Sequence, residues 1–385
     1  MSEWKKVKLG DICERVTSGG TPKANVSSYY YPPIIPWLKT KEVNYCRIRE
    51  TENYISEEGL NNSSAKLIAP NSVIIAMYGQ GDTAGRVAIN KIPLTTNQAC
   101  CNLTINKDKA DYEFIYYQLC TLYNKMVSLK AGAAQPNLNA QIIKNLEVLL
   151  PSLPMQHRIA TILSRYDSLI ENYQKQIKLL EEAAQRLYKE WFVDLHFPGH
   201  ENTKIVDGVP EGWEKKKVGD MISKIQRTKQ VTTNNYQASG KIPVIDQSRN
   251  YIAGYTDDAE CLVKVTVPYI VFGDHTRILK YIPFSFAKGA DGTQLIMSND
   301  LERMPQTLFY NSLIEIDLSN YSYARHFKYL KEEFVLLPSE YIARKYDSIV
   351  SRYYQSIQKS REQIRLITEA RDRLLPKLMS GEIEV

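Results

Sequence analysis

The chain has 385 residues, enough for two or three domains at about 150 residues each. Hydrophobic residues make up 43% and charged residues 24%, a globular composition that excludes wholesale disorder. The net charge of +6 is only mildly basic, and the apolar runs are far shorter than the roughly 20 residues that span a bilayer. Because the N-terminus carries no apolar signal segment, we expect a cytoplasmic protein with reduced cysteines and no membrane partner.

The first 150 residues alternate short apolar runs with turn residues. The β-branched and aromatic runs Val73–Tyr78 and Arg86–Ile89 predict strands, and Tyr112–Lys125 predicts a short helix. Cys100 and Cys101 fall in a further predicted strand, where neighbouring side chains point to opposite faces. We expect both to be buried as small hydrophobes, because no C-x-x-C pair supports a zinc site.

A long helix is predicted over residues 155–192. Its seam residues recur in steps of three and four, which is a heptad pattern with one four-residue stutter at 173–177. They are Ile159, Ile162, Tyr166, Leu169, Tyr173, Ile177, Leu180, Ala184, Leu187 and Trp191. This length favours a coiled coil over a helix that only closes the core of its own domain.

The second half of the chain begins again with strand patterns and ends in a second long helix. The strands are predicted at Val263–Val267 and Tyr269–Phe272. The second helix has its own stutter at 353–357, at the equivalent place, and its seam comprises Tyr346, Ile349, Tyr353, Ile357, Ser360, Ile364, Ile367, Arg371 and Leu374. Two helices that share a stutter are expected to pack on each other.

These elements form a tandem repeat of a globular part followed by a long helix. The recurring pairs, in chain order, are Trp4–Ile12 with Trp213–Ile222, Ile35–Pro36 with Ile242–Pro243, Gln98 with Gln294, Leu149–Pro151 with Leu336–Pro338, and Tyr166–Ile170 with Tyr346–Val350. The offset falls from 209 positions to 180, so the second copy lacks about 29 residues in its interior. If the helices pair antiparallel, two different heads are held at a fixed distance, which suits an asymmetric bipartite DNA site.

The order of six segments along the chain is distinctive: Trp4–Ile12, Ser18–Pro22, Ile35–Leu38, Leu150–Pro151 with Gln156, Leu187–Asp194 and Arg373–Ile383. Together they resemble the specificity (S) subunit of type I restriction–modification systems. The resemblance implies an α+β fold, with two mixed α/β target recognition domains separated by two long antiparallel coiled-coil spacer helices in a pseudo-two-fold internal repeat. It places recognition domain 1 at 1–154, the central spacer helix at 155–196, recognition domain 2 at 197–339 and the C-terminal spacer helix at 340–385.

The resemblance also implies a function, that of a non-catalytic subunit that reads an asymmetric bipartite DNA site and scaffolds other subunits through its spacer helices. The implied partners are double-stranded DNA, two methyltransferase (M) subunits and motor–nuclease (R) subunits. Their complex would be a DNA adenine methyltransferase and an ATP-dependent endonuclease. We therefore expect no cofactor in this chain, and S-adenosylmethionine, ATP and magnesium in the partner subunits.

Candidate DNA contacts in the first domain lie in loops with suitable side chains. Arg and Lys suit guanine, Asn and Gln suit adenine, and Lys, Arg, Ser, Thr and Tyr suit phosphates. The glycines of residues 79–85 let the backbone approach a ligand closely. The candidates are Thr21, Lys23, Lys39, Lys41, Tyr78, Gln80, Arg86, Asn97 and Gln98.

The second domain offers corresponding loops. Residues 215–229 hold six basic residues and one acidic residue, a local positive patch. The candidates are Arg227, Lys229, Gln247, Arg249, Asn250, His275, Thr276 and Arg277. For each single residue, an ordinary solvated loop is the alternative interpretation. The exposed faces of the long helices would hold partner subunits, with candidates at Lys175, Lys178, Glu181 and Glu182.

The sequence lacks the motifs of the enzymes that such a complex contains. An amino-methyltransferase needs Asn/Asp-Pro-Pro-Tyr/Phe, and only Tyr31–Ile34 comes near it, without the amide or acid. Gly81–Arg86 does not match a P-loop, and Pro198 separates His196 from His200, which argues against a metal pair. We predict no catalytic residue and no metal site in this chain.

Two other functions remain open from the residues alone. One is a self-contained restriction–modification enzyme or nuclease, which would methylate or cleave DNA as purified chain. The other is a coiled-coil scaffold without direct DNA reading, which would bind a methyltransferase but give no sequence-dependent DNA affinity.

Overall fold

The computed structural model describes residues 4–130, 137–226, 228–289, 292–321 and 325–385. The chain divides into two compact units. Unit 1 comprises Met1–Glu171 and Arg365–Val385, and unit 2 comprises Asn172–Ile364. Both boundaries fall inside long helices, so each unit contains one globular head and a segment of each long helix.

Unit 1 contains ten strands and four short helices among its described residues, followed by the first long helix. The strands are β1 Lys5–Lys8, β2 Cys13–Ser18, β3 Ile35–Leu38, β4 Cys46–Ile48, β5 Tyr54–Ile55, β6 Val73–Ala76, β7 Val87–Asn90, β8 Thr95–Thr96, β9 Cys100–Ile105 and β10 Glu147–Leu150. The helices are α1 Glu57–Asn61, α2 Tyr112–Thr121, α3 Tyr123–Ser128, α4 Ala140–Lys144 and α5 Leu153–Tyr188. The single helix predicted at Tyr112–Lys125 is therefore two helices, with Leu122 between them.

The main sheet of unit 1 has the strand order β2-β9-β6-β7-β4. Its pairs are antiparallel except for β4, which runs parallel to β7. A smaller sheet has the order β5-β3-β8, with β3 and β8 parallel, and β1 pairs antiparallel with β10. The described part of unit 1 is therefore a mixed α/β head built on three sheets, of which one is the two-stranded β1-β10 pair.

Alternate residues of the main sheet fill two separate cores. Val73 and Cys101 face the cluster that includes α2 and the beginning of α5, whereas Ile74 and Cys100 face a second cluster. Both cysteines are buried, so the predicted burial on opposite faces is confirmed. Desolvation by burial raises the pKa of Cys101 to about 12, so this thiol stays protonated and inert at neutral pH.

Unit 2 contains eleven strands and two short helices among its described residues, followed by the second long helix. The strands are β11 Ile205–Val206, β12 Val209–Pro210, β13 Glu214–Lys217, β14 Ile242–Ile245, β15 Gly254–Thr256, β16 Leu262–Val263, β17 Tyr269–Gly273, β18 Leu279–Ile282, β19 Phe286–Lys288, β20 Thr293–Ile296 and β21 Phe334–Leu337. The helices are α6 Gln306–Ile314, α7 His326–Glu332 and α8 Glu340–Ser380. The strand predicted at Val263–Val267 is only the two-residue β16.

The strand pairing of unit 2 repeats that of unit 1 and confirms the internal repeat. The pair β13-β21 matches β1-β10, the run β15-β14-β19 matches β5-β3-β8, and β18-β17-β20 matches β7-β6-β9. Gln98 and Gln294 are not counterparts, because Gln98 precedes β9 whereas Gln294 lies inside β20. Within the described residues no strand corresponds to β4, so β18 ends its sheet.

The two long helices run antiparallel inside each unit. In unit 1, Arg158 donates to the Val385 carbonyl and Arg371 donates to Asp167. In unit 2, Arg361 of α8 donates to Glu181 at 3.0 Å, and the Tyr346 hydroxyl donates to the Ala184 carbonyl at 3.3 Å. In both pairs of contacts the later residue of α5 meets the earlier residue of α8, as expected for antiparallel spacer helices. The 36 residues of α5 span about 54 Å.

The predicted seam is partly correct in both units; in unit 2, Val350 and Tyr354 are buried in α8, whereas the predicted Ile349 and Tyr353 beside them are only partly buried. Ala184, Tyr346 and Ile357 are buried in unit 2 as expected. In unit 1, Leu169 is 48% exposed, and Asp167 is buried two positions away. A carboxylate takes the inward position because arginines of the same unit neutralise it. Among the described residues, no helix has the length and apolarity needed to cross a membrane.

Candidate nucleic-acid interface

In unit 1, the parallel strands β3 and β8 end at one edge of their sheet, and candidate residues follow both. Strand β3 ends at Leu38, before Lys39, and β8 ends before Asn97 and Gln98. The Asn97 N–H donates to the Leu38 carbonyl at 2.9 Å, which holds the two strand ends together. Gln98 is exposed, and Lys39 and Asn97 are half-buried.

The loop that carries Thr21 joins the same edge. The Gly20 N–H donates to the Thr96 carbonyl at 2.8 Å, and the Thr21 hydroxyl donates to the Gln98 side-chain oxygen. A Cβ on Gly19 would collide with the Thr96 carbonyl oxygen, so glycine permits this close approach. Two of the loops chosen from sequence therefore touch each other.

The β6–β7 hairpin brings Tyr78, Gln80 and Arg86 to the corresponding end of the main sheet. Gln80 is exposed and Tyr78 is half-buried. The Arg86 guanidinium donates to Asp82 at 2.5 Å and to Asn44 at 3.0 Å, and the bond to Asp82 raises the Arg86 pKa. Arg86 thus braces the hairpin and is already engaged within unit 1.

The two remaining lysine candidates of unit 1 are exposed. Lys23 follows the Thr21 loop, and Lys41 forms an ion pair with Glu52 on the surface. Ion pairs of this exposed kind contribute little free energy to folding.

In unit 2, the loop 246–250 follows β14 and meets the β17–β18 hairpin. The His275 N–H donates to the Gln247 side-chain oxygen at 3.0 Å, and the Thr276 hydroxyl donates to the Gln247 carbonyl at 2.7 Å. His275, Thr276, Arg249 and Asn250 are exposed. The structure thus brings five of the predicted residues to one edge, equivalent to the edge in unit 1.

Two other candidates of unit 2, Arg277 and Lys229, make different contacts. Arg277 is exposed with a φ of 62°, and its guanidinium donates to the Leu318 carbonyl at 2.9 Å. Lys229 pairs with Asp258 at 2.8 Å and with Glu260 at 3.0 Å, and hydrogen bonds to these carboxylates raise its pKa. Arg227 lies outside the described residues.

The four candidates for partner binding lie on α5, in the part that belongs to unit 2. Lys175, Lys178 and Glu182 are exposed, with Lys178 and Glu182 4.0 Å apart. Glu181 differs, because it is half-buried and accepts a hydrogen bond from Arg361 of α8. Glu181 therefore serves the helix pair, and the exposed face consists of the other three. In the described parts of the chain, no group of three or more His, Cys, Asp or Glu residues is arranged to hold a metal ion.

Comparison with known proteins shows which family the chain resembles. A family model described as "Type I restriction modification DNA specificity domain" matches residues 1–182. The chain is also similar to the type I restriction enzyme MjaIX specificity subunit of Methanocaldococcus jannaschii, with 28% identity across 100% of this chain and 94% of the relative. Over residues 1–182 the chain is thus similar to the DNA specificity domain of type I restriction–modification systems, and over its full length it is similar to a type I specificity subunit.

Two further comparisons agree with this family. The EcoR124I/EcoR124II specificity subunit of Escherichia coli is 28% identical over 51% of this chain and 48% of its own length. The crystal structure of a type I S subunit from M. genitalium superposes with a TM-score of 0.60 and 16% identity, over 98% of this chain and 96% of that chain. The second comparison shows that the specificity-subunit fold covers both units.

Sequence reasoning missed Lys280, which organises the candidate edge in unit 2 of this specificity subunit. Its ammonium donates to the Asp246 carbonyl at 2.8 Å and to the Asn250 carbonyl at 2.5 Å, and thus closes the loop between them. Burial lowers the pKa of Lys280 to about 8, although the Asp246 carboxylate at 3.8 Å acts in the opposite direction. The available signal was a lysine flanked by the apolar residues Leu279 and Tyr281.

It also missed Arg47, which connects the unit 1 head of the specificity subunit to the long helices of that unit. The Arg47 guanidinium donates to Asp167 of α5 at 2.7 Å, and Asp167 also accepts hydrogen bonds from Tyr117 and from Arg371 of α8. Burial alone would raise the pKa of Asp167, but the hydrogen bonds from Tyr117, Arg371 and Arg47 outweigh it and lower that pKa.

Proposed function

We propose that this chain is the non-catalytic DNA-recognition subunit of a type I restriction–modification complex, and that each unit reads one half of an asymmetric bipartite site. One observation carries the proposal. Both units bring the loop after a parallel strand and a β-hairpin to one edge, by the same strand pairing, but they place different side chains there. The same strand pairing with different side chains suits recognition of two different half-sites.

The chemistry of the two edges supports base reading. In unit 1 the edge offers the amides of Asn97 and Gln98 with the charge of Lys39. In unit 2 it offers Arg249 and Asn250 on an exposed loop. Amide side chains match the donor–acceptor pair of adenine, and arginine and lysine match the two acceptors of guanine, so both edges can discriminate bases.

The proposal includes the division of the chain and its partners. Residues 1–154 and 197–339 are the recognition domains, and 155–196 and 340–385 are the spacer helices. Two methyltransferase subunits dock along the helices, with Lys175, Lys178 and Glu182 in the contact, and motor–nuclease subunits join them. S-adenosylmethionine belongs to the methyltransferase subunits, whereas ATP and magnesium belong to the motor–nuclease subunits. The complex works in the cytoplasm, where its DNA lies.

Mapping of methylated bases tests the proposed function. The chain is co-expressed with its methyltransferase partner, and methylated adenines are located across the host genome. A bipartite motif with two short specific parts and a fixed gap is expected. A complex that assembles but leaves no sequence-dependent methylation would favour the scaffold function, and methylation or cleavage by the purified chain alone would favour the enzyme.

A further inference from the structure

A cavity of about 730 Å³ lies in unit 2 beside helix α8. Its apolar surface comes from residues that precede β17 and follow β18, together with the rings of Tyr281 and Tyr354. Its polar wall is formed by Thr307 of α6 and by Asp347 and Ser351 of α8. The cavity adjoins β18, the strand at which the sheet ends in the described part of unit 2.

Unit 1 shows what fills the same position in the other copy. Strand β4 runs parallel to β7, the counterpart of β18, and carries Arg47. The Arg47 side chain is only 5% exposed. Its guanidinium lies 2.7 Å from Asp167, 3.4 Å from Glu113 and 3.7 Å from Glu171. In unit 1 this position therefore holds a buried cation on an acidic wall.

The repeat maps that acidic wall onto the wall of the cavity. Asp167 and Glu171 of α5 correspond, at the repeat offset of 180 positions, to Asp347 and Ser351 of α8. Glu113 of α2 corresponds to Thr307 of α6, since each is the second residue of its helix. Unit 2 thus keeps one of three acids. The chain that follows β14 supplies Tyr251, which packs against Arg361 at 3.7 Å instead of filling the cavity.

The remaining polar groups of the cavity favour binding of a ligand that donates hydrogen bonds. Asp347 and Lys359 are its two charged lining residues, and Lys359 is exposed, so its ammonium can extend into water. The Thr307 hydroxyl fixes Asp347 by donating to it at 2.6 Å. The Gln358 side-chain oxygen is buried and has no hydrogen-bond partner among the described residues. Buried acceptors are nearly always paired in folded proteins, which points to an incoming donor.

We propose that this cavity is the docking site for one arginine side chain of the methyltransferase subunit. The inference rests on the proposed function, which supplies a protein partner along α8. One guanidinium balances the single acid Asp347, reaches Gln358 with a second N–H and packs its flat face against the tyrosine rings. The cavity thereby receives from a partner what Arg47 supplies to unit 1 from the same chain.

Calorimetric titration of the purified full-length chain with the methyltransferase subunit tests the site. Asp347→Asn removes the charge and keeps the shape, and Gln358→Leu removes the buried acceptor. We expect Asp347→Asn to weaken association at least tenfold and Gln358→Leu several-fold, as for loss of charge-assisted hydrogen bonds. Asp108→Asn, at an exposed carboxylate of unit 1, is the matched control and is expected to bind as the unchanged chain does. Thermal melting by circular dichroism confirms that each variant is folded.

A cross-linking measurement identifies the occupant. A photoreactive residue in place of Gln355, at the wall of the cavity, is expected to join an arginine-containing peptide of the purified methyltransferase subunit. Unchanged affinity of both variants would overturn the docking site and leave the proposed function intact. Self-association that Asp347→Asn abolishes would assign the cavity to a second copy and also overturn it. An unchanged chain that binds neither methyltransferase nor specific DNA would instead contradict the proposed function.

Discussion

Single buried charges organise both units. Asp167 is surrounded by the two arginines and the tyrosine hydroxyl that bind it in unit 1, and Lys280 by the loop carbonyls that it binds in unit 2. A buried charge is stable only when it is paired or hydrogen-bonded, because transfer from water is costly. Each of these side chains therefore requires one arrangement of segments that are far apart in sequence. Such residues set the geometry of an edge without being part of its exposed surface.

Asp167→Asn is expected to destabilise the full chain by about 3 kcal/mol, because it leaves the buried Arg47 with weaker partners. Urea unfolding measures this loss. Asp372→Asn is the control, since Asp372 also binds Arg371 but is exposed, and it should change the free energy of unfolding by less than about 1 kcal/mol. Equal effects of both substitutions would contradict the role of burial.

The stability of the unchanged chain is expected to depend more strongly on pH than that of Asp167→Asn. The pKa of Asp167 is lowered by folding, so its contribution to stability is present above the unfolded pKa of about 3.9 and is lost as pH falls through the folded pKa. Between pH 5 and pH 3 the unchanged chain should therefore lose more stability than Asp167→Asn. Parallel curves for the two proteins would argue against this linkage.

Lys280→Met is expected to weaken recognition of the unit 2 half-site about tenfold and to leave the unit 1 half-site unchanged, because the 246–250 loop loses its charged clamp. Because the pKa of Lys280 is lowered to about 8, the unchanged chain should also lose affinity for that half-site as pH rises from 7 to 9. The affinity of the Lys280→Met variant should not change in this way, because methionine does not titrate. The measurement is competition binding by the methyltransferase complex, with each half-site randomised in turn. Weakening at both half-sites would indicate general unfolding instead.

At the scale of secondary-structure elements, the edges of the two units have the same strand pairing but carry different side chains. In both units a parallel strand end, a hairpin and the start of the next strand meet through backbone hydrogen bonds, such as Asn97 to Leu38. The hairpin of unit 1 contains Arg86 and that of unit 2 contains Arg277, and each arginine is bonded within its own unit. Strand pairing therefore places the loops, and local side-chain bonds decide which groups stay free.

Arg86→Ala and Arg277→Ala form a reciprocal pair of tests for the hairpins. Each is expected to reduce specific affinity about tenfold at the half-site of its own unit, and not at the other, because each arginine orders only its own hairpin. Binding of the methyltransferase complex to duplexes with one half-site altered measures this. Unchanged affinity and sequence preference for both variants would remove the hairpins from the recognition surface.

At the scale of the whole molecule, the chain contains two copies of one unit, a globular head followed by a long helix, and the second copy is shorter. The shorter copy lacks a counterpart of β4 among the described residues, and a cavity lies where unit 1 buries Arg47. The charge of +6 is small for a protein that binds DNA unaided. If the proposed complex forms, we therefore expect its partner subunits to supply much of the phosphate contact.

The salt dependence of DNA binding tests this division of labour. The logarithm of the binding constant should fall more steeply with the logarithm of salt concentration for the methyltransferase complex than for the chain alone, because more phosphates are neutralised. Equilibrium binding at about 50–200 mM salt gives both slopes. Equal slopes would mean that the chain makes most of the phosphate contacts itself.

The sequence alone determined the duplicated plan, the two long helices and the resemblance to type I specificity subunits. Repeats and heptads are periodic and can therefore be recognised without knowledge of tertiary contacts, and the order of short motifs carries the resemblance. Only the tertiary structure decided that Asp167 and not Leu169 turns inward, that Lys280 closes a loop from a neighbouring strand, and that unit 2 has a cavity where unit 1 has Arg47. These outcomes depend on contacts between residues thirty or more positions apart in the sequence, which no local sequence pattern records.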